Sequence, residues 1–253
     1  MNEPSRKLFS QPVGGYRHLD SFTLATIIQI ETWRFCQSFL DLRNDPKGRW
    51  FDQMTQAARS GRANLIEGSE NAATSKETEL KLLGVARASL AELLGDFEMW
   101  LAFSNRLPWS KDEAAELLRI SLDPMPPGDD ILRESALHAR TQRAKFAKWL
   151  DSPDSFVRAN CLLVLIRRAI QMLRRQIQSL GESFVKTGGL REQMTAARLE
   201  VRSKQREVSP TENVPLCPKC GRPMRKRTKR DTGEAFWGCS GYAEGCRGTR
   251  PME

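Results

Sequence analysis

Four cysteines near the C-terminal end carry the clearest chemistry in the chain. Cys217 and Cys220 enclose Pro218 and Lys219; 18 residues separate Cys220 from Cys239, and six more separate Cys239 from Cys246. Two close thiol pairs at this separation predict a closed tetrahedral S4 site, the donor set that zinc favours where thiols stay reduced. Gly221 follows one ligand and Gly238 precedes another, where tight turns are required. A segment this short buries no core of its own, so the metal would supply its folding energy. Four thiolates leave no open position for a reactive water, so the expected zinc is structural. The other two cysteines, Cys36 and Cys161, sit on apolar stretches and read as core.

The surroundings of the four thiols suggest what the ribbon touches. Arg222, Arg225, Lys226, Arg227, Lys229, Arg230, Arg247 and Arg250 make it basic, and Phe236, Trp237 and Tyr242 lie beside the third and fourth ligands. Cations that track a backbone, with flat rings on which bases stack, are the composition of a single-strand binder. One of the three rings is expected to cover the metal site instead. Ribbons also bind proteins, so a protein-interaction adaptor is the alternative reading of the same segment.

The charge is unevenly spread. Residues 1–153 carry 20 Lys and Arg against 21 Asp and Glu, a balance of −1, while residues 154–253 carry 20 against 10, a balance of +10. One end of the chain therefore seeks polyanions, nucleic acid being the commonest. The blander reading is a cationic face kept for solubility.

The elements that position these groups read as helices, because apolar residues recur at spacings of three and four and never alternate before the ribbon. The first helix is expected from Ser21 to Arg43, with Leu24, Ile27, Ile28, Phe35, Phe39 and Leu42 inward. A second is expected from Arg49 to Glu67, ended by Gly68, its small residues inviting close approach by a neighbour. A third starts at Thr74 or Ser75, with Thr74 and Glu77 as a capping box, and buries Leu83, Ala86, Leu90, Leu93, Phe97 and Leu101. Ser110 with Glu113 opens a short segment, residues 123–130 form a loop, and residues 131–150 form one more amphipathic helix. A long helix from Asp154 to Leu180 carries the seam Leu162, Ile166, Ala169, Leu173, Ile177 and Leu180. Arg167 and Arg174, like Arg168 and Arg175, repeat seven apart on its other faces, predicting an outward arginine row for nucleic acid. The expected fold is an all-α up-and-down bundle over residues 1–187 with an insert near 106–150, a polar helix and linker over 188–214, and a zinc ribbon over 215–253.

Two resemblances accompany this reading. CPKCGRPMRKRTKRDTGEAFWGCSGYAEGC resembles the C4 zinc finger at the C-terminus of bacterial type IA topoisomerases, a family that binds single-stranded DNA. The likeness rests on the CPxCG opening, Met224-Arg225-Lys226 and the run Phe236 to Ser240. It departs where the family usually has Tyr-Pro and five residues between the last two cysteines; here Ala243 follows Tyr242 and six residues intervene. Residues 53–93 resemble the four-helix-bundle family known from intervening sequences of bacterial 23S ribosomal RNA genes, which includes the accessory variability protein of diversity-generating retroelements. Ala57, Ala58, Asn64, Glu67, Gly68, Ala86, Arg87, Ser89, Glu92 and Leu93 carry it. That resemblance implies a homo-oligomer, a pentamer in the retroelement members, that binds RNA or cDNA and works with a reverse transcriptase.

Catalysis is not expected. The only histidines, His18 and His138, stand alone, and no glycine loop precedes a Lys-Ser/Thr pair. Arg133 and His138 match the R-x4-H form of helical ribonucleases resembling the HEPN family, the enzymatic alternative. The longest apolar run, Cys161 to Ile166, is far short of the roughly 20 residues that cross a bilayer. With no apolar leader among the first 15 residues, a cytoplasmic location is expected.

Overall fold

The computed structural model describes residues 15–72, 75–188, 190–208, 214–229 and 231–252. The chain is mostly helical with a small C-terminal sheet, and divides into two units, residues 1–194 and 195–253.

In the first unit, after a 3-10 turn at Gly15–His18, come α1 (Asp20–Phe39), α2 (Arg49–Asn71), α3 (Lys76–Phe103), α4 (Ala115–Arg119), α5 (Ile131–Ala144), α6 (Ala147–Leu150) and α7 (Ser155–Thr187). Four long helices pack in a closed series: α1 on α2, α2 on α3, α3 on α7 and α7 on α1. The apolar stripes read from the sequence supply the core. Leu83, Ala86, Leu90, Leu93, Phe97 and Leu101 of α3 are wholly buried, as are Leu162, Ile166, Ala169 and Leu173 of α7. Each larger side chain so buried contributes about 1.5–3 kcal/mol. Gly61 brings α2 and α3 together, since a Cβ there would lie 2.9 Å from Leu90 Cγ. Cys36 and Cys161 are buried in this core, and burial pushes both thiols up to about 12.

Several expected boundaries move, each for a side-chain reason. Helix α1 stops at Phe39 rather than Arg43, because the Asn44 side chain donates to the Phe39 carbonyl at 2.8 Å and accepts from the Asp41 N–H at 2.9 Å. Leu42, expected inward, is therefore 81% exposed. Gly68 does not end α2; it lies inside the helix, with the Glu79 carbonyl 3.4 Å from where its Cβ would be. The N-cap of α3 is Ser75, whose hydroxyl accepts from the Thr78 N–H at 3.2 Å; Thr74 lies outside the described residues. The single helix expected over 131–150 is two, α5 and α6, broken at Lys145 and Phe146 so that the Phe146 ring reaches the core. Helix α7 continues to Thr187, where Gly188 ends it at φ +70°.

The segment between α3 and α5 is fastened by side chains instead of by length of helix. Ser110 and Glu113 cap each other reciprocally, Asn160 of α7 accepts from the Trp109 N–H at 2.7 Å, and Gln142 of α5 accepts from the Asp123 N–H at 2.9 Å. Under α5 lies a feature the sequence did not suggest. Glu31 of α1 is wholly buried and accepts from Arg34 at 2.8 Å and from Arg143 at 3.1 Å, while Arg143 also bonds Asp151.

The second unit begins within α8 (Leu190–Val208) and contains β1 (Met224–Thr228), β2 (Ala235–Cys239) and β3 (Thr249–Pro251) in one antiparallel sheet of order β1-β2-β3. Among the described residues, no helix is long and apolar enough to cross a membrane.

Candidate metal centre and nucleic-acid interface

The four thiols converge. The sulfurs of Cys217, Cys220, Cys239 and Cys246 all lie within 4.8 Å of one another. Cys217 Sγ is 3.8 Å from Cys246 Sγ, and Cys220 Sγ is 3.3 Å from Cys239 Sγ. The edge of a tetrahedron with metal–sulfur bonds of about 2.3 Å is about 3.8 Å, so the donor set fits a four-coordinate metal ion.

Local backbone geometry places each ligand. The Cys217 carbonyl accepts from the Gly221 N–H at 2.9 Å, closing the first turn, and the Lys219 N–H donates to Cys217 Sγ at 3.4 Å. The second pair repeats the device: the Gly241 N–H donates to Cys239 Sγ at 3.3 Å, and a 3-10 turn over Ser240–Glu244 leads to Cys246. Gly245 closes that turn just before Cys246, with a φ of +94° that few L side chains adopt. Such N–H donors fix ligand orientation and stabilise thiolate charge. They draw the Cys217 thiol down to about 7, with the Lys219 N–H as the main cause. Burial pushes Cys239 the other way, up to about 12, helped by the neighbouring Cys220. A coordinated cation removes this conflict, because its charge deprotonates every thiol bound to it. Gly248 went unnoticed in the sequence. A Cβ there would run into Cys217 Sγ, so only glycine leaves room for the cluster.

The sheet sorts the basic and aromatic side chains onto two faces. Residues paired directly across antiparallel strands point the same way. Met224 pairs with Cys239 and Lys226 with Trp237, while Trp237 also pairs with Arg250; these side chains share the metal's face. There Trp237 packs on Cys217, Met224 and Cys239, so it is the ring that covers the metal site. Arg225 pairs with Gly238 and Arg227 with Phe236, placing these side chains on the opposite face.

Two of the ribbon's cations are already neutralised: Arg222 by Glu244, and Lys229 by Glu234 at 2.9 Å. Arg225, Lys226, Arg227, Arg247 and Arg250 are exposed and make no ion pair among the described residues, and Arg230 lies outside them. Tyr242 is engaged by cations: the Arg247 guanidinium lies 3.9 Å from its ring centre and that of Arg227 4.9 Å.

In the helical unit the arginine row is divided. Arg174 and Arg175 are exposed, whereas Arg167 is ion-paired to Glu98 at 3.0 Å. Arg168 points inward and donates to the Ile120 carbonyl at 2.7 Å, and burial lowers its basicity. It serves the end of α4, which corrects the expectation of four outward arginines. A groove of about 860 Å³ between α1 and α2 also gathers arginines. Most of that charge is already engaged, Arg34 by Glu31 and Arg62 by Thr26 and the Phe22 ring.

Arg133 and His138 both lie on α5, where five residues turn the helix through about 500°, leaving the side chains about 140° apart. Arg133 is exposed and His138 buried, and burial holds the imidazole below the ordinary histidine range against the pull of Asp20 and Asp123.

Comparison of the chain with protein-family models, with curated proteins and with solved structures finds no match.

Proposed function

We propose that the chain is a non-catalytic nucleic-acid-binding protein whose C-terminal ribbon, closed by one zinc ion on Cys217, Cys220, Cys239 and Cys246, grips an unpaired RNA or DNA strand. The observation that carries this is the set of exposed cations, Arg225, Lys226, Arg227 and Arg250 on the strands with Arg247 beside them, that make no ion pair among the described residues and are gathered with Phe236 and Trp237 at one small sheet. Nothing at the four thiols provides an open coordination position, so the metal's part is to hold the sheet. Thiols kept for a metal suit a reducing compartment, and we place the protein in the cytoplasm.

Titration of labelled single-stranded oligonucleotides at two salt concentrations tests the reading. Each phosphate neutralised on a single strand contributes about −0.7 to the slope of log K against log salt, so four or five contacts give a slope of roughly −3. Absence of binding at low salt defeats the proposal and favours a protein-interaction adaptor.

The helical unit is read, on the likeness of residues 53–93, as an up-and-down bundle that assembles and works beside a reverse transcriptase, presenting Arg174 and Arg175 to template RNA or cDNA. Light scattering is then expected to give about five times the 28.7 kDa chain mass. A monomer at micromolar concentration would remove the basis for the assembly.

A further inference from the structure

The ribbon displays two basic faces, and they are not equivalent. On the metal's face, Trp237 is committed to the cysteine cluster, with Lys226 and Arg250 as its cross-strand neighbours. Away from Trp237, Arg227 and Arg247 each lie against the Tyr242 ring, and both line one cleft of about 130 Å³ together with Phe236, Cys239 and Thr249. Two guanidiniums lining one small cleft repel each other. The ring's negative face offsets part of that repulsion, and an anion shared between the two forks would relieve the rest. The cleft is small beside the roughly 300–1,000 Å³ of sites that enclose organic ligands, so it takes a group of phosphate size and no whole nucleoside.

We infer that Arg227 and Arg247 form a clamp for one phosphodiester, that Tyr242 is the positioning residue that holds both guanidiniums, and that Phe236 receives the adjoining base. This deepens the nucleic-acid reading of the ribbon and rests on it. Three observations support the assignment. The Arg227 stem crosses over Gly238, where a Cβ would lie 2.9 Å from Arg227 Cδ, so glycine opens the path to Tyr242. Arg247 is anchored by the same residue, its guanidinium donating to the Tyr242 carbonyl at 3.0 Å. Phe236 sits opposite Arg227 in the register, on the same face and half-buried. With guanidiniums against its ring, Tyr242 is not the open platform its composition suggested; the stacking surface passes to Phe236. An acidic peptide would satisfy the arginines equally, but it has no use for a ring beside them.

The test uses the full chain, fluorescein-labelled oligo-dT of 15 residues and a salt series, comparing two double variants that remove the same charge from opposite faces. Arg227→Ala with Arg247→Ala is expected to weaken binding roughly tenfold or more at low salt, as loss of charge-assisted bonds does. It should also reduce the magnitude of the salt slope by about 0.7, one phosphate. Lys226→Ala with Arg250→Ala is expected to change both less. Tyr242→Phe keeps the clamp and its affinity, whereas Tyr242→Leu weakens binding with no charge removed. Phe236→Ala lowers affinity at an unchanged slope. One zinc per chain in each variant certifies the ribbon's fold; should either Ala pair lose zinc, Tyr242→Leu against Tyr242→Phe decides. Equal losses from the two double variants, or a larger loss from Lys226 and Arg250, overturn the clamp while leaving strand binding intact. Failure of the unaltered protein to bind oligo-dT overturns both. Capture of poly-glutamate in place of oligo-dT, abolished by Arg227→Ala with Arg247→Ala, reassigns the cleft to a protein partner.

Discussion

Chelating the metal is expected to unfold residues 215–252 while the helices of the first unit stand. The ribbon's buried side chains are Cys217, Met224 and Cys239, with Trp237 and Cys246 packed against them. Three of these five are the proposed ligands themselves. Met224 and Trp237 alone bury too little apolar surface to offset the entropy of ordering three short strands and two turns. Structural zinc in comparable small domains contributes about 10–16 kcal/mol at neutral pH, which here is the whole of the folding energy. Excess EDTA, or Cys239→Ser, should therefore collapse the amide dispersion of the ribbon in an NMR spectrum. It should also remove the ribbon's share of oligonucleotide binding, leaving at most what Arg174 and Arg175 hold, and leave the helical circular dichroism nearly unchanged. A ribbon that keeps its dispersion after chelation, or a protein with no stoichiometric metal, contradicts the assignment.

The same dependence governs binding. Arg225, Lys226, Arg227, Phe236 and Trp237 lie on β1 and β2, whose alternation and mutual register set which side chains stand together. That register is pinned at one end by Met224 opposite Cys239, in the cysteine cluster. Releasing the metal frees the register, and a slip of one residue exchanges the faces on which Phe236 and Trp237 stand. Loss of metal and loss of binding are thus expected to coincide, through the sheet and not through contact of the ion with nucleic acid.

What the sequence discloses depends on the range of the interaction. The cluster of four cysteines was legible because their spacing brings two thiol pairs together, and the stripes of α3 and α7 because period 3.6 reflects burial directly. The Ser110–Glu113 cap was legible because both partners lie within three residues. Leu42 was misread because Asn44, a side chain beyond the apolar pattern, ends α1 early. Gly68 reads as a stop only until α3 is seen lying against it. Arg168 looked like one of a row because periodicity reports which residues share a face and says nothing of what lies above it; Ile120, 48 residues away, decides its role. The separation of Phe236 from Trp237 follows from strand alternation, yet which ring covers the cysteines needs the pairing with β1 and β3.

Replacing Glu31 by Gln is expected to be the most damaging single change in the helical unit. Its carboxylate is wholly buried on α1 and lies between Arg34 and Arg143, both donating to Oε1. Arg143 reaches Oε2 as well, at 3.3 Å, and bonds Asp151, whose carboxylate, more than Glu31, strengthens its hold on its proton. Arg158 lies within the same field, its basicity lowered by burial. Three guanidiniums thus surround two carboxylates, and removing the buried one leaves positive charge with too few partners. Breaking a buried pair from one side costs about 3–5 kcal/mol. For a unit of this size, that lowers the melting temperature by roughly 10 °C. Urea denaturation of Glu31→Gln, Arg143→Gln and the double variant measures this directly. The single carboxamide should show the full loss, and the double variant should lose less than the sum, since the second change removes a charge the first left unpartnered. Additive losses, or a change below about 1 kcal/mol for Glu31→Gln, would place the cluster among solvated ion pairs of little worth. The distinction matters for the fold. Buried ion pairs seldom exceed well-packed apolar residues in stability, and what they supply is a definite register between elements. Here those elements are α1 and α5, which the segment between α3 and α5 would otherwise leave free to choose among apolar contacts.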